Sequence, residues 1–318
     1  MGQAIPSPAL FSVDDARYAA HWARSPDRSP FSHPAALAAF AQAFGLPVSV
    51  LAVEAGGEWT AAVPVFKKKK GPFVASALPP LCPVHRPLLA APLAEAETHA
   101  RTSPLDNLLS RLDGETDQAT LALGAGDLRP YLWAGWTVTP RSTYRLDLAD
   151  DVEAGFSSST RRTIRKESGA FECVEDPALA SEAVRLMLAS YARQGSDLGL
   201  SEPALVGLAE ALQDAGLART FAARRGGTTE AAIIAATDEH TAFYWIAGSE
   251  PGPAMTVLLA HTLRQLAEDG VETFDFVGAN TPSIAEFKRR FGPTLAPAPL
   301  ARRVSHPALR VVYRVLER

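Results

Sequence analysis

Four cationic side chains, Arg161, Arg162, Arg165 and Lys166, fall within six positions of the segment SSSTRRTIRKES. A helix through them places Arg161 one turn from Arg165 and Arg162 one turn from Lys166. Guanidinium forks match phosphate oxygens two at a time, and Ser157, Ser158, Ser159 or Thr160 can cap the free amides that open such a helix. Phe156 and Ile164 would face the core. The same charges also suit a solvated helix face that binds nothing.

A fifth cation, Lys288, stands in IAEFKRRFG. Phe287 and Phe291 lie one turn apart with Ile284 on the same stripe, so that stripe is expected to be buried and Lys288 to leave its side. Gly292-Pro293 ends the helix. An ammonium at a core edge stabilises negative charge developing on an acyl carbonyl or a leaving oxygen. The alternative is a lysine whose stem merely covers apolar surface.

Asp275, in Phe274-Asp275-Phe276, interrupts an apolar strand. Alternation puts the two rings on one face and the carboxylate on the other. Such a group needs a partner, for which Lys288 or the basic helix would serve, or it acts as general base toward an attacking amine. Tyr244 and Trp245 share a strand, one packing inward and the other open to a reactant; Tyr244 is taken as a substrate contact. Asn280, after Gly278, is read as a substrate contact or a turn cap.

These groups need a scaffold, and composition sets its limits. With 318 residues, 47% hydrophobic and a net charge of −4, the chain fits two domains of roughly 150 residues each. That charge excludes a general nucleic-acid coater, so no DNA partner is expected and any anion must be met locally. Cys82 and Cys173 lack CxxC spacing and His85 has no spaced partner, so neither a disulfide framework nor a metal site is expected. The N-terminal stretch MGQAIPSPALF carries no signal-peptide or membrane pattern, which leads to the expectation of a soluble, cytoplasmic protein. No Walker, Rossmann or GxSxG pattern is present.

Periodicity predicts helices at Pro34 to Phe44, Pro104 to Leu112, Pro177 to Arg193, Glu202 to Ala215, Met255 to Glu268 and Pro282 to Arg290. Strands are predicted at Val48 to Val53, Trp59 to Phe66, Leu217 to Ala223, Ala231 to Thr237, Ala242 to Ala247 and Thr273 to Val277. The run Lys67 to Lys70 reads as a solvated turn after a strand. LAVEAGGEWTAAVPV (Leu51 to Val65) aligns without gaps on FAARRGGTTEAAIIA (Phe221 to Ala235), each an apolar strand, a Gly-Gly turn and a second strand. The repeat predicts a duplicated mixed α/β domain, 1–149 and 150–318.

The order TRRTIRKES, strand-turn-strand, AFYWIAGS, amphipathic helix, FDFVGAN and IAEFKRRFG resembles the second half of the Fem-type peptidyltransferases, twin-domain bacterial members of the GNAT acyltransferase superfamily. LPPLCPVHRPLL and GWTVTPRSTYRLDL extend the likeness to the first half. The resemblance implies two tandem GNAT-like domains, the second carrying the active site. It implies transfer of an acyl or aminoacyl group to an amine, such as that of a peptidoglycan precursor. The acceptor is expected in the groove between domains, beside the Arg162 and Arg165 face. Lys288 occupies the position of the family's proposed catalytic FK lysine. The donor would be aminoacyl-tRNA or acyl-CoA, used as co-substrate, with no tightly bound cofactor.

Acyl-CoA users of the superfamily hold pyrophosphate on Gln/Arg-x-x-Gly-x-Gly/Ala. In GSEPGPA, Gly252 and Ala254 fit, but Ser249 replaces the first residue, and Pro251 and Pro253 lack N–H donors. This counts against ordinary CoA use. The rival expectations are an acyl-CoA N-acyltransferase with a degenerate loop, and a non-catalytic module binding a phosphorylated ligand.

Overall fold

The computed structural model describes residues 9–91, 103–148 and 151–316. Residues 1–8 of the N-terminal stretch and the expected boundary at 149/150 lie outside them. The chain forms two compact units, 1–140 with 297–318, and 141–296.

In the first unit, β1 (Ala9–Phe11), α1 (Ala16–Arg24) and α2 (Pro34–Phe44) precede the hairpin of β2 (Val48–Ala55) and β3 (Glu58–Lys70). β4 (Phe73–Ala77), β5 (Leu88–Leu89), α3 (Pro104–Glu115), β6 (Gln118–Ala122), α4 (Arg129–Trp133) and β7 (Thr137–Thr139) come next. The second unit runs β8 (Ser142–Asp147), α5 (Ser158–Glu167), β9 (Glu172–Glu175), α6 (Ala180–Arg193), α7 (Glu202–Asp214), β10 (Ala218–Arg225), β11 (Thr228–Thr237) and β12 (Thr241–Ser249). It ends with α8 (Ala254–Glu268), β13 (Thr273–Asp275), α9 (Pro282–Arg289) and β14 (Thr294–Pro297). β15 (Leu300–Val304) and α10 (Pro307–Leu316) return to the first unit.

One sheet has the order β1-β2-β3-β4-β6-β15-β7, the other β14-β8-β13-β12-β11-β10-β9. Each contains a parallel pair, β4 with β6 and β12 with β13. The repeat read from sequence holds at the level of register. Val53 pairs Ala61 and Glu54 pairs Trp59, leaving Thr60 as a bulge; Ala223 pairs Ala231 and Arg224 pairs Thr229, leaving Glu230 as the bulge at the aligned position. A one-residue bulge at the same place in both hairpins is a shared constraint on strand twist, beyond what a Gly-Gly turn requires.

Two expectations are revised. The observed partition differs from 1–149 and 150–318, because the last strand of each copy lies in the other copy's sheet. β8, the strand after the first copy's β7, pairs with β13, and β15, the strand after the second copy's β14, pairs with β6. Linear order cannot reveal such an exchange, since either placement satisfies the same apolar alternation. The run Lys67 to Lys70 is no turn: it extends β3 and pairs with Ser76 back to Phe73, with the turn at Gly71. Lys68, Lys69 and Lys70 are exposed and Lys67 pairs with Glu115, while the backbone completes a ladder.

The second unit's core gathers Phe221, Ile233, Leu258, Leu263, Phe274, Phe276 and Phe291, all essentially inaccessible to solvent. Gly248 on β12 lies against the backbone of α6, where an added Cβ would stand 2.1 Å from the Leu186 carbonyl carbon. No side chain can bend away from that contact. Gly248→Ala should therefore lower unfolding stability by about 1–3 kcal/mol through overpacking, measured as a shift in the denaturant midpoint. An unchanged midpoint would show that α6 moves freely against the sheet.

Candidate active site

The site grows from the point where β12 and β13 separate. The strands pair in parallel at Thr241–Thr273, Ala242–Phe274 and Phe243–Asp275. β13 then ends while β12 continues to Ser249. Just past the last pair, β12 bulges: Ile234 faces Ile246 and Ala235 faces Tyr244, so Trp245 is the extra residue. The bulge buries Trp245 and leaves Tyr244 half-buried. Its ring packs near Phe274 and Phe276, and its hydroxyl donates to Met255 Sδ at 3.3 Å. Burial raises the Tyr244 phenol well above its ordinary pKa.

After Asp275 the backbone turns through two left-handed residues, Val277 (φ +52°) and Gly278 (φ +81°). A β-branched residue seldom adopts this conformation, and here it aims two successive carbonyls the same way. Lys288 Nζ donates to Val277 O at 2.8 Å and Gly278 O at 2.9 Å. Its ammonium lies 5.5 Å from the Tyr244 ring centroid. The third N–H has no protein acceptor among the described residues. Lys288 is 5% exposed and is the buried residue of α9, whereas Ile284 and Phe287 are only half-buried. The stripe expected to be buried thus gives way to the lysine itself. Burial drops the Lys288 pKa to about 8, with Asp275 opposing the fall.

Asp275 is 4% exposed. Its Oδ1 accepts from the Thr143 hydroxyl and from Val277 N (2.8 Å), and Oδ2 accepts from Arg145 Nε at 3.2 Å. Thr143 Oγ1 in turn accepts from Gly278 N at 3.2 Å. Asn280 uses its amide on strand β8: Oδ1 accepts from Ser142 N at 3.0 Å and Nδ2 donates to Ser142 O at 3.1 Å.

The basic helix α5 is capped by Ser157, whose Oγ accepts from Thr160 N. It buries Thr160 and Ile164 and exposes Arg161, Arg162, Arg165 and Lys166. Arg161 donates to Ala154 O and Lys166 pairs with Glu167. Arg162 and Arg165 have no protein partner among the described residues. The two motifs singled out in the sequence meet through their backbones: Ser157 N donates to Arg290 O at 2.8 Å, and Phe156 packs on Phe291 with centroids 5.1 Å apart. Gly155 and Gly292 touch so closely that a Cβ on Gly292 would lie 2.3 Å from the Gly155 oxygen. This backbone joint couples the motifs, while no side-chain bond among the described residues links Arg162 or Arg165 to Lys288.

The loop GSEPGPA links β12 to α8. Arg193, from the end of α6, donates to the Ser249 carbonyl and to Ser190 Oγ, and pairs with Glu250. The amides of Gly252, Ala254 and Met255 find no acceptor among the described residues. Because Met255 also touches the Tyr244 hydroxyl, the start of α8 and Lys288 lie on two sides of one aromatic ring. Thr143, Arg145 and Arg193 escaped sequence reasoning. Thr143 and Asp275 are 132 positions apart, and no periodicity marks such a pair.

Residues 155–289 match the family described as Acetyltransferase (GNAT) domain. Among solved structures, the chain is similar to FemX, with a TM-score of 0.73 and 11% identity over 96% of this chain and 99% of that one. It is also similar to a tandem GNAT protein from the clavulanic acid biosynthesis pathway, with a TM-score of 0.60 and 14% identity over 94% and 99%. L-PGS from Bacillus licheniformis gives a TM-score of 0.58 with 12% identity over 96% of both chains. No curated protein sequence matches. Residues 155–289 thus match the acetyltransferase (GNAT) family description, and the chain as a whole shares its fold with FemX and with the tandem GNAT protein.

Proposed function

We propose that the chain transfers an acyl or aminoacyl group to an amine, with the chemistry in the second unit at Lys288. The observation that carries this reading is the Lys288 ammonium, buried beside the divergence of β12 and β13, fixed by two carbonyls and keeping one N–H open. A neutral amine attacks the acyl carbonyl, and the new C–N bond moves the carbonyl electrons onto oxygen. A preorganised cation in a water-poor site stabilises that oxyanion more than the ground-state carbonyl. Collapse of the intermediate expels the leaving oxygen or sulfur, which takes up the proton that the amine gives to solvent.

Asp275, expected as general base, accepts three hydrogen bonds while buried. In this reading it positions rather than removes a proton. Tyr244 forms one wall of the reacting site, and Arg162 and Arg165, the unpaired cations of α5, meet the phosphates of the donor. Asn280 belongs to the scaffold.

The donor is read as aminoacyl-tRNA, because Pro251 and Pro253 remove two amides from the loop that cradles pyrophosphate in acyl-CoA users. The acceptor is read as the amine of a cell-envelope precursor, met in the cytoplasm. Among the described residues no helix is long and apolar enough to cross a membrane. Acyl-CoA is the second reading, favoured by the GNAT match and by the unpaired amides of Gly252, Ala254 and Met255.

Lys288→Met should lower kcat by about two to three orders of magnitude while circular dichroism stays native; unchanged turnover removes Lys288 from the chemistry. The protonated lysine is the active form, so its contribution is present below pH 8 and lost as pH rises through about 8. A Lys288→Arg variant that retains activity should move this descending limb above ~pH 10, because guanidinium stays charged. A thermal shift separates the donors: a ligand at about 100 times its Kd adds about 2.7 kcal/mol of stability. Charged tRNA should raise Tm and acyl-CoA should not; the reverse result selects the acyl-CoA reading.

A further inference from the structure

The Lys288 ammonium owes its place to carbonyls that belong to a strained turn, so whatever holds that turn sets the site. Val277 contributes its left-handed conformation against the steric preference of a β-branched residue. Such a conformation persists only where surrounding bonds over-determine it. Two bonds do so here, and one side chain joins them. Val277 N donates to Asp275 Oδ1, and Gly278 N donates to Thr143 Oγ1, while the Thr143 hydroxyl donates to that same Asp275 oxygen. Both amides of the turn are thus fixed by the Thr143–Asp275 pair, and both carbonyls of the turn face Lys288.

We propose that Thr143 is a positioning residue for Lys288, acting with Asp275 to lock the Val277–Gly278 turn whose carbonyls hold the ammonium. The inference rests on the reading of Lys288 as the charge-stabilising group. Thr143 is 3% exposed and sits on β8, outside the segment 155–289 that matches the GNAT family. It is a hydroxyl that serves as donor and acceptor at once, which valine cannot imitate and serine can. Arg145, next but one on β8, pairs with the other Asp275 oxygen. The β8 strand therefore braces, from behind, a site whose cation comes from α9.

The charged and titratable groups facing Lys288 are few. Asp275 comes from β13 and Tyr244 from β12, and Arg145 reaches it only through Asp275. On its own helix Glu286, Arg289 and Arg290 are exposed and pair with one another. Carbonyl acceptors favour the charged form of an amine, so releasing them lowers its pKa.

The chain has six lysines, Lys67 to Lys70, Lys166 and Lys288, so the Cε signal of Lys288 can be resolved in lysine-labelled full-length protein and assigned by its loss in Lys288→Met. Its pH titration, followed by NMR, reports the turn without any substrate. Thr143→Val should move the Lys288 midpoint down by about one pH unit, and Thr143→Ser should restore it. Should Thr143→Val fail to fold, Thr143→Cys keeps the volume with a feeble donor and should shift the midpoint the same way. A midpoint unmoved in every folded variant overturns the proposal. Transfer is then measured on the same proteins, where kcat should fall about tenfold with KM unchanged. A shifted midpoint with unaltered kcat upholds Thr143 as the positioning group and removes Lys288 from the chemistry.

Discussion

One buried ammonium organises the second unit. Lys288 enters a core edge where a charge is costly, and the cost is offset by two carbonyls and the face of an aromatic ring. For those carbonyls to converge, the chain after β13 must take two left-handed steps. For those steps to persist, an aspartate and a threonine from neighbouring strands must hold the amides on the other side. Among the described residues this leaves a rigid cation with one N–H unpaired, held too firmly by its two carbonyls to move far.

The parallel pairing of β12 with β13 is short. A parallel pair that ran its full length would fill the site with backbone hydrogen bonds. Here pairing stops after three residues, β12 bulges at Trp245, and Tyr244 takes the position between the helix start at Ala254 and the lysine. The close approach of Gly248 to α6 packs the far end of β12 tightly against that helix. The start of α5 is joined to the end of α9 by the contact between Gly155 and Gly292 and by the Ser157–Arg290 backbone bond.

The two copies share a hairpin register down to the bulged residue yet diverge beyond their parallel strand. After its parallel strand the second unit carries Asp275, Val277 and Lys288, whereas in the first unit β6 ends at Ala122 and is followed by Gly124 and the short helix α4. A buried cation is tolerated only where acceptors hold it, and in the second unit the Val277 and Gly278 carbonyls supply them. The two sheets share pairing and apolar burial, while the loops beyond them differ.

Much of the fold was legible in the sequence. The helix at Pro34–Phe44 arises from local periodicity, and the paired hairpins from Gly-Gly turns between apolar runs. Lys288 and Asp275 stood out because charge within an apolar pattern demands a partner. Contacts between distant segments decided the rest: the exchange of β8 and β15, the entry of the lysine run into a strand, and the choice of Lys288 over Ile284 and Phe287 as the buried face of α9. Thr143 looked like any strand threonine until the sheet set it beside Asp275. Local sequence determines which conformations a segment can adopt at low cost, whereas the partners that make a polar burial tolerable arrive only when the strands assemble.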